Sequence, residues 1–161
     1  MFRLRYAILA TSLLAAAGAH AGSTATQFQV TAQVLDSCTV AADDLNFGNY
    51  DPRSATALDG TSQLRVACTL LTAYNVALNP GTSVGATVTT RKMSKATDTL
   101  GYTLFRDALR TLNWGQTAGT DTVSGTGTGL TANLSVYGRV PGSQNVPTGS
   151  YLDTITVTVS Y

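Results

Sequence analysis

The sequence predicts an all-β protein built as an antiparallel β-sandwich, and three observations support this fold class. The first is composition: Thr and Gly are abundant, all nine acidic residues are Asp, and Lys occurs at only two positions, so strong surface-helix formers are scarce. The second is an alternation of apolar and polar residues in several short segments, which is the period of a strand with one buried face. The third is that Gly, Pro and Asn separate these segments, while no segment carries a helical period.

The first predicted strands lie in the N-terminal half of the chain. Residues 25–34, ATQFQVTAQV, alternate apolar side chains with Gln, Thr and Gln. Residues 63–70 and 73–78 alternate in the same way, and Asn79-Pro80-Gly81 then provides turn chemistry. The apolar face of the first segment consists of Phe28, Val30, Ala32 and Val34.

The second half of the chain continues the pattern. Shorter strands are predicted over residues 87–93 and 100–105, the Gly- and Thr-rich residues 115–129 are predicted to be an exposed loop, and residues 130–140 resume strand character. The final segment, residues 151–161, is the cleanest strand of all. About seven short strands separated by turns indicate a sandwich of immunoglobulin-like size. The apolar face of the last strand consists of Ile155, Val157, Val159 and Tyr161.

The first and last predicted strands lack the usual protection of sheet edges. Each carries a single charge near one end, Asp36 or Asp153, and neither contains Pro. Soluble proteins normally blunt exposed edges with charge, Pro or a bulge, so these edges are expected to be occupied. Alternation fixes which face of residues 25–34 is buried, but it does not decide whether they join their own sandwich or a neighbour's.

The N-terminus has the features of a secretory signal peptide. Arg3 and Arg5 precede an apolar run over residues 6–17, and Ala19-His20-Ala21 is a small-x-small cleavage site. The run of twelve is shorter than the roughly twenty residues of a membrane-spanning helix, so we expect residues 1–21 to be cleaved and residues 22–161 to form one exported domain. Retention of the signal as a membrane anchor is the alternative.

Charge argues against nucleic acid and anionic membranes as partners. Without the two arginines of the predicted signal, the ten basic residues become eight against nine acidic ones, a net charge near −1. No basic cluster is left to form an electrostatic footprint. We therefore expect no nucleic-acid binding and no membrane insertion after cleavage.

The two cysteines, Cys38 and Cys68, are expected to form a disulfide. An even number of cysteines in an exported chain favours a disulfide over a metal site, and their spacing is unlike the CxxC pairs of zinc ligands. Closing a loop of about 31 residues would stabilise the fold by roughly 3.5–4 kcal/mol in the chain-entropy model. Two free buried thiols are the alternative.

No catalytic or cofactor site is predicted. Residues 81–85 match G-x-S-x-G, but no helix follows them, and the single histidine, His20, leaves with the predicted signal, so a turn is the expected structure. Asp43-Asp44 is the only adjacent pair of carboxylates, and nothing in the sequence selects a partner for acid–base chemistry. Calcium loops and phosphate-binding glycine loops are absent from the sequence. We expect neither an enzyme nor a cofactor.

Aromatic residues offer the one sign of a ligand, a sugar platform formed by stacked rings. In a sandwich such residues more often belong to the core or to corners, and that interpretation is favoured. The residues concerned are Phe47, Tyr50, Tyr102, Phe105 and Trp114.

Several stretches taken together resemble one known family, the spore coat protein U-like domain found in subunits of archaic chaperone–usher pili. The resemblance runs across nearly all of residues 22–161. The stretches that carry it, in order, are LNFGNYD (45–51), VACT (66–69), YTLFRDALRTLNWG (102–115), VYGRVPGSQNVPTGSY (136–151) and DTITVTVSY (153–161).

The resemblance implies an incomplete immunoglobulin-like sandwich that lacks its last strand and exposes an apolar groove. It implies that a periplasmic chaperone fills this groove until delivery to an outer-membrane usher, where the N-terminal segment of the next subunit replaces it. Residues 22–36 would then be the donor segment, with Phe28, Val30, Ala32 and Val34 entering the groove. The last strand, with Ile155, Val157, Val159 and Tyr161, would form a groove wall and pair with the chaperone, the carboxylate of Tyr161 serving as its anchor. Cys38 and Cys68 would link the first two strands of the sandwich.

The function implied by the resemblance is that of a structural subunit in a head-to-tail surface fibre supporting adhesion and biofilm formation. A spore or cell-surface coat protein with the same domain is one alternative, and a sugar-binding adhesin is another. The sequence does not decide between this exchange and a monomer that fills its own groove with residues 22–36.

Overall fold

A computed structural model describes residues 21–161. The predicted signal peptide, residues 1–21, therefore lies outside the described residues except for its last residue. The described chain contains strands and no helix, and therefore no helix suited to crossing a membrane. Its eight strands are β1 Cys38–Ala42, β2 Leu58–Cys68, β3 Ala73–Leu78, β4 Arg91–Lys95, β5 Asp98–Phe105, β6 Val123–Thr126, β7 Thr131–Val140 and β8 Val157–Ser160.

The strands form two antiparallel sheets, as an all-β sandwich requires. One sheet has five strands in the order β1-β2-β7-β5-β4, and the other has three in the order β6-β3-β8. The longest pairing joins β2 to β7, from Leu58 opposite Val140 to Ala67 opposite Thr131. The predicted all-β, immunoglobulin-like fold class is confirmed.

The core lies between the sheets and is built by the alternation seen in the sequence. In β2 every second residue from Leu64 onward is buried, and β3 turns Tyr74, Val76 and Leu78 toward it. Trp114 is 1% exposed, and its indole Nε1 donates a hydrogen bond to the Val76 carbonyl at 2.9 Å. Trp114 is thus a core residue with its polar atom satisfied, which removes the centre of the sugar platform considered from the sequence.

The observed strand bounds agree with the predicted ones in part: β1 was not predicted, and β2 spans Leu58–Cys68 instead of residues 63–70. β3 has the predicted bounds, while β5 and β7 differ from them by one or two residues. β4 begins at Arg91 instead of residue 87, because Thr87 and Thr90 exchange backbone hydrogen bonds in a tight turn. The predicted exposed loop over residues 115–129 is wrong in part, since β6 lies inside it and pairs with β3, with Val123 opposite Val76.

The predicted last strand, residues 151–161, is shorter than expected. Only Val157–Ser160 pairs with β3, so Ile155 and Tyr161 lie outside the strand. The reason is local: bonds between Thr156 and Asn79 extend the register by one residue to the point where β3 ends before Pro80, and the backbone of Leu152 pairs with Ser94 instead. The alternation persists through this segment, with odd-numbered residues half-buried up to Val159.

Residues 22–36 form no strand in the single chain. The compact unit begins at Val34, and the described residues before it are exposed. Phe28 is 85% exposed and Val30 is 84% exposed. The alternating segment therefore carries large apolar side chains that are exposed in the described part of the chain.

Candidate functional site: an open groove between the sheets

A cavity of about 870 Å³ opens into the core between the two sheets. The cavity is open to solvent, and the core side chains at its inner end are at most 5% exposed. The core side chains that form its apolar floor are Leu64, Leu78, Leu100, Tyr102, Leu104, Val136 and Val140. We call this cavity the groove.

Two irregular segments form the rims of the groove. One, residues 42–52, follows β1, and the other, residues 146–157, leads into β8. Both turn apolar side chains toward the core, Phe47 from the first and Ile155 from the second. The groove thus has apolar core side chains at its inner end and is bordered by two segments that lie mostly outside the strands.

β1 and β8 are edge strands of their sheets. Within residues 21–161, β8 pairs only with β3 and β1 pairs only with β2, so each strand leaves one row of backbone groups free. Some Cα atoms of β1 and β8 lie within 8 Å of each other, so the sheets approach where these two strands meet. The groove is lined instead by the segment after β1 and the segment before β8. This arrangement can accept an extended chain, which would pair with free edges while its alternate side chains fill the floor.

The predicted groove-wall residues divide between the strand and its flanks. Ile155 and Val157 are half-buried and line the groove. Val159 is half-buried against the core, where β1 and β8 approach each other. Tyr161 is 61% exposed and lies beyond the end of β8. The predicted roles in binding a chaperone remain predictions.

Phe47 fixes the first rim by packing onto two glycines of the large sheet. A Cβ atom on Gly138 would lie 2.6 Å from the Phe47 ring, and one on Gly60 would lie 3.0 Å from it. The ring also meets Tyr102 edge-on, with centroids 6.1 Å apart. The glycines therefore leave the space in which the rim folds back over the sheet.

Asp153 fixes the second rim. Its carboxylate accepts hydrogen bonds from the Tyr102 hydroxyl at 2.7 Å and from the Thr82 amide and hydroxyl at 2.8 and 2.9 Å. Burial, strengthened by the bond to Asp153, raises the pKa of Tyr102 well above its ordinary value, so the hydroxyl remains a donor. From the sequence, Asp153 was interpreted only as an edge charge. The signal that could have identified its role is its place in phase with Tyr151 and Ile155 on the buried side of the alternation.

A buried guanidinium lies under the same region. The Arg91 side chain is fully buried and donates hydrogen bonds to four backbone carbonyls, and burial lowers its pKa to about 10. The charge has no carboxylate within salt-bridge distance in the described part of the chain. No pattern in the sequence indicates this role of Arg91. The accepting carbonyls are those of Leu78, Asn79, Val88 and Trp114.

The predicted disulfide is present. Cys38 and Cys68 are bonded and face each other as a register pair of β1 and β2. The alternative of two free thiols is therefore wrong. The bond fastens β1, an edge strand with mostly exposed side chains, to the central part of the sheet.

The G-x-S-x-G match is a turn, as expected. Gly81 and Gly85 have φ angles of 94° and 70°, which favour glycine, and no helix follows. The Ser83 hydroxyl donates to the Lys92 carbonyl at 2.7 Å. Its geometry is that of a structural turn and not of a nucleophile elbow.

These features define a class of protein: an incomplete immunoglobulin-like sandwich with an open apolar groove. The chain belongs to the Spore Coat Protein U domain family, whose model matches residues 24–158. Protein U of Myxococcus xanthus is 39% identical to it over 167 aligned positions, which cover 94% of this chain and 93% of Protein U.

A solved structure is similar as well. It is the CsuC–CsuE chaperone–tip adhesion subunit pre-assembly complex from the archaic chaperone–usher Csu pili of Acinetobacter baumannii. A chain of that complex matches with a TM-score of 0.60 and 26% sequence identity, covering 80% of this chain and 40% of that chain. This chain therefore spans less than half of the solved chain that it matches. The family resemblance expected from the sequence is confirmed.

Proposed function

We propose that this protein is a structural subunit of a chaperone–usher pilus, and that residues 22–36 of one copy complete the sandwich of the next. The observation that carries the proposal is a pair of complementary defects in one chain. The groove lacks an apolar strand, and residues 25–34 are an alternating apolar strand that the chain leaves exposed. The match to a subunit complex of archaic pili supports the same conclusion.

The energetics favour such an exchange. Burying Phe28, Val30 and Val34 stabilises the complex by about 1.5–3 kcal/mol for each side chain. Ladder hydrogen bonds along the free edge of β8 add about 0.5–1.5 kcal/mol apiece. Because donor and acceptor surfaces differ, the contact is head-to-tail and propagates as a fibre instead of closing into a dimer.

The partners follow from the open groove. The apolar rim side chains Phe47, Ile155 and Val157 are only half-buried, so an unassembled subunit presents apolar surface that a temporary occupant would cover. We assign that role to a periplasmic chaperone that pairs with β8 around Val157 and Val159, and the exchange step to an outer-membrane usher. The solved complex that this chain resembles contains a chaperone, which supports this assignment. The subunit would pass through the periplasm to the cell surface, where the fibre supports adhesion and biofilm formation, and it has no enzymatic role.

The alternation of the donor segment supplies a matched experiment. In the proposed strand, Val30 faces the groove and Gln29 faces away, so Val30→Asp places a charge in an apolar groove while Gln29→Asp leaves it in solvent. With chaperone and usher co-expressed, wild type and Gln29→Asp should give a ladder of bands on a denaturing gel when unheated and a single band when boiled. Slow strand release is the reason for the ladder. Val30→Asp should give only the monomer band.

Two results would contradict the proposal. One is a ladder from Val30→Asp as strong as that from Gln29→Asp. The other is a ladder that persists after deletion of residues 22–34, since the proposed donor would then be absent.

A second candidate function, a surface coat protein, is favoured by the match to Protein U over almost its full length and by the description of the family. The same strand exchange could then join subunits without an extended fibre. Electron microscopy of material released from the cell surface distinguishes the pilus from the coat. Thin fibres would support the pilus, and a boiling-sensitive ladder without fibres would support the coat.

A further inference from the structure

Four leucines are strongly exposed at the end of the sandwich where the N-terminal segment joins it. Leu35 precedes Asp36, whose side chain is hydrogen-bonded to Thr72. Leu70 and Leu71 form the turn after β2, and Leu130 precedes β7. Their exposed fractions run from 68% to 78%. Grouped exposed apolar side chains are characteristic of surfaces that bind another protein.

Hydrogen bonds hold the leucines at this one end. They join three short segments, residues 35–37, 69–72 and 127–130. We call the four leucines on these segments the leucine end. The bonds run from Thr69 N to Ser37 O, Thr72 Oγ1 to Asp36 Oδ1, Leu71 N to Gly127 O and Gly129 N to Cys68 O, with distances of 2.8–3.2 Å.

The length of the connection determines what must lie next to the leucine end. In the proposed donor segment the last groove-facing side chain is Val34, while Asp36 is already bonded to Thr72 of its own sandwich. Only Leu35 separates them, and two residue steps span at most about 7 Å. The copy whose groove holds Val34 is therefore brought against the leucine end.

We propose that the leucine end is a second contact between subunits, seated on the copy of this chain that accepts residues 25–34. The inference rests on the proposed strand exchange and adds a surface to it. A strand joined through one residue would leave the acceptor free to rotate about the backbone torsions of Leu35. Contact through Leu70, Leu71 and Leu130 would restrict that rotation and fix the angle between successive subunits.

Photo-crosslinking in assembled fibres tests this contact. Leu130 is replaced by p-benzoylphenylalanine, and Leu109, an 81% exposed leucine in the loop after β5, receives the same probe as the control. After irradiation, fibres are dissociated in hot guanidinium and analysed on a denaturing gel. Covalent dimers are expected from position 130, with mass spectrometry placing the second end on another copy, and background levels are expected from position 109.

Each outcome decides the matter. Dimers from position 130 at the background level of position 109 would overturn the second contact while leaving strand exchange intact, provided the unheated ladder is present before irradiation. Absence of that ladder in the wild type would overturn both proposals. If the chain carrying the probe at 130 fails to assemble, the same probe at Leu70 provides the same comparison.

Discussion

A buried charge that bonds only to backbone carbonyls is the residue-scale feature on which the loops next to the groove depend. The Arg91 guanidinium reaches the carbonyls of Leu78 and Trp114 at 3.0 and 2.8 Å, and two further carbonyls complete the set. A buried carbonyl without a donor costs about 1–3 kcal/mol, so one side chain satisfies several groups that water does not reach. Arg suits this place because its planar fork donates in several directions at once.

Arg91→Met should therefore lower the free energy of unfolding by about 3 kcal/mol or more, because it leaves several buried carbonyls unpaired. Lys92→Met is the matched control, since it removes a neighbouring charge that is only half-buried. Trp114 is the single tryptophan and is buried, so its fluorescence during guanidinium titration of assembled protein reports unfolding. Equal midpoints for the two variants would contradict this role of Arg91.

Residue roles could be predicted from the sequence only where a pattern marks them. Cys38 and Cys68 follow from their number and the exported context, and the turn at residues 81–85 follows from the absence of a following helix. Nothing marks Arg91, because its acceptors are backbone carbonyls, which every residue carries. Their positions depend on how distant loops meet.

At the scale of elements, the segment before β8 behaves as a tethered rim and not as a strand. Its alternation matches a strand, but its pairing with β3 stops at Asn79, and the backbone of Leu152 pairs with Ser94 of β4. Asp153 adds the strongest side-chain tether, with acceptor bonds from Tyr102 and Thr82. The rim is thus held in place while its edge stays free.

Asp153→Ala should release this rim. Loss of the acceptor leaves the hydroxyl of the buried Tyr102 without a partner and releases the exposed Thr82, and we expect the free energy of unfolding to fall by about 2–3 kcal/mol. Asp44→Ala, at an exposed position on the other rim, should change it little. Guanidinium titration followed by Trp114 fluorescence provides the measurement, and unchanged stability in Asp153→Ala would show that the rim is held without this carboxylate.

The apolar–polar alternation of the sequence predicted strands that have one buried face. It missed a strand that forms only because a neighbouring strand pairs with it. β3 was predicted with its observed bounds because its alternation is uninterrupted. β6 was missed because VSGT, four residues within a Gly- and Thr-rich stretch, becomes a strand only by pairing with β3. The shortening of β8 was missed for the same reason, since alternation survives even where pairing is lost.

At the scale of the whole molecule, the sandwich has an open groove, and residues 25–34 are an exposed segment with the alternation of a strand. Five strands face three, and the groove reaches core residues such as Leu78 and Val140 that are almost fully buried. The incomplete sandwich could be predicted through the family resemblance, whereas the strand predicted over residues 25–34 is absent from the single chain and its role as a donor stays a prediction. Alternation alone could not show the open groove, because which strand edges stay unpaired is decided by the tertiary structure.

The measurement that tests strand exchange most directly is hydrogen exchange of residues 25–34 in two states of the same protein, unassembled and in fibres. In the unassembled chain these residues form no strand and should exchange at the rate of exposed backbone. In fibres they should exchange several orders of magnitude more slowly, because their amides would be locked in a ladder that opens only when subunits separate. Equally fast exchange of residues 25–34 in fibres would contradict strand exchange as the link between subunits.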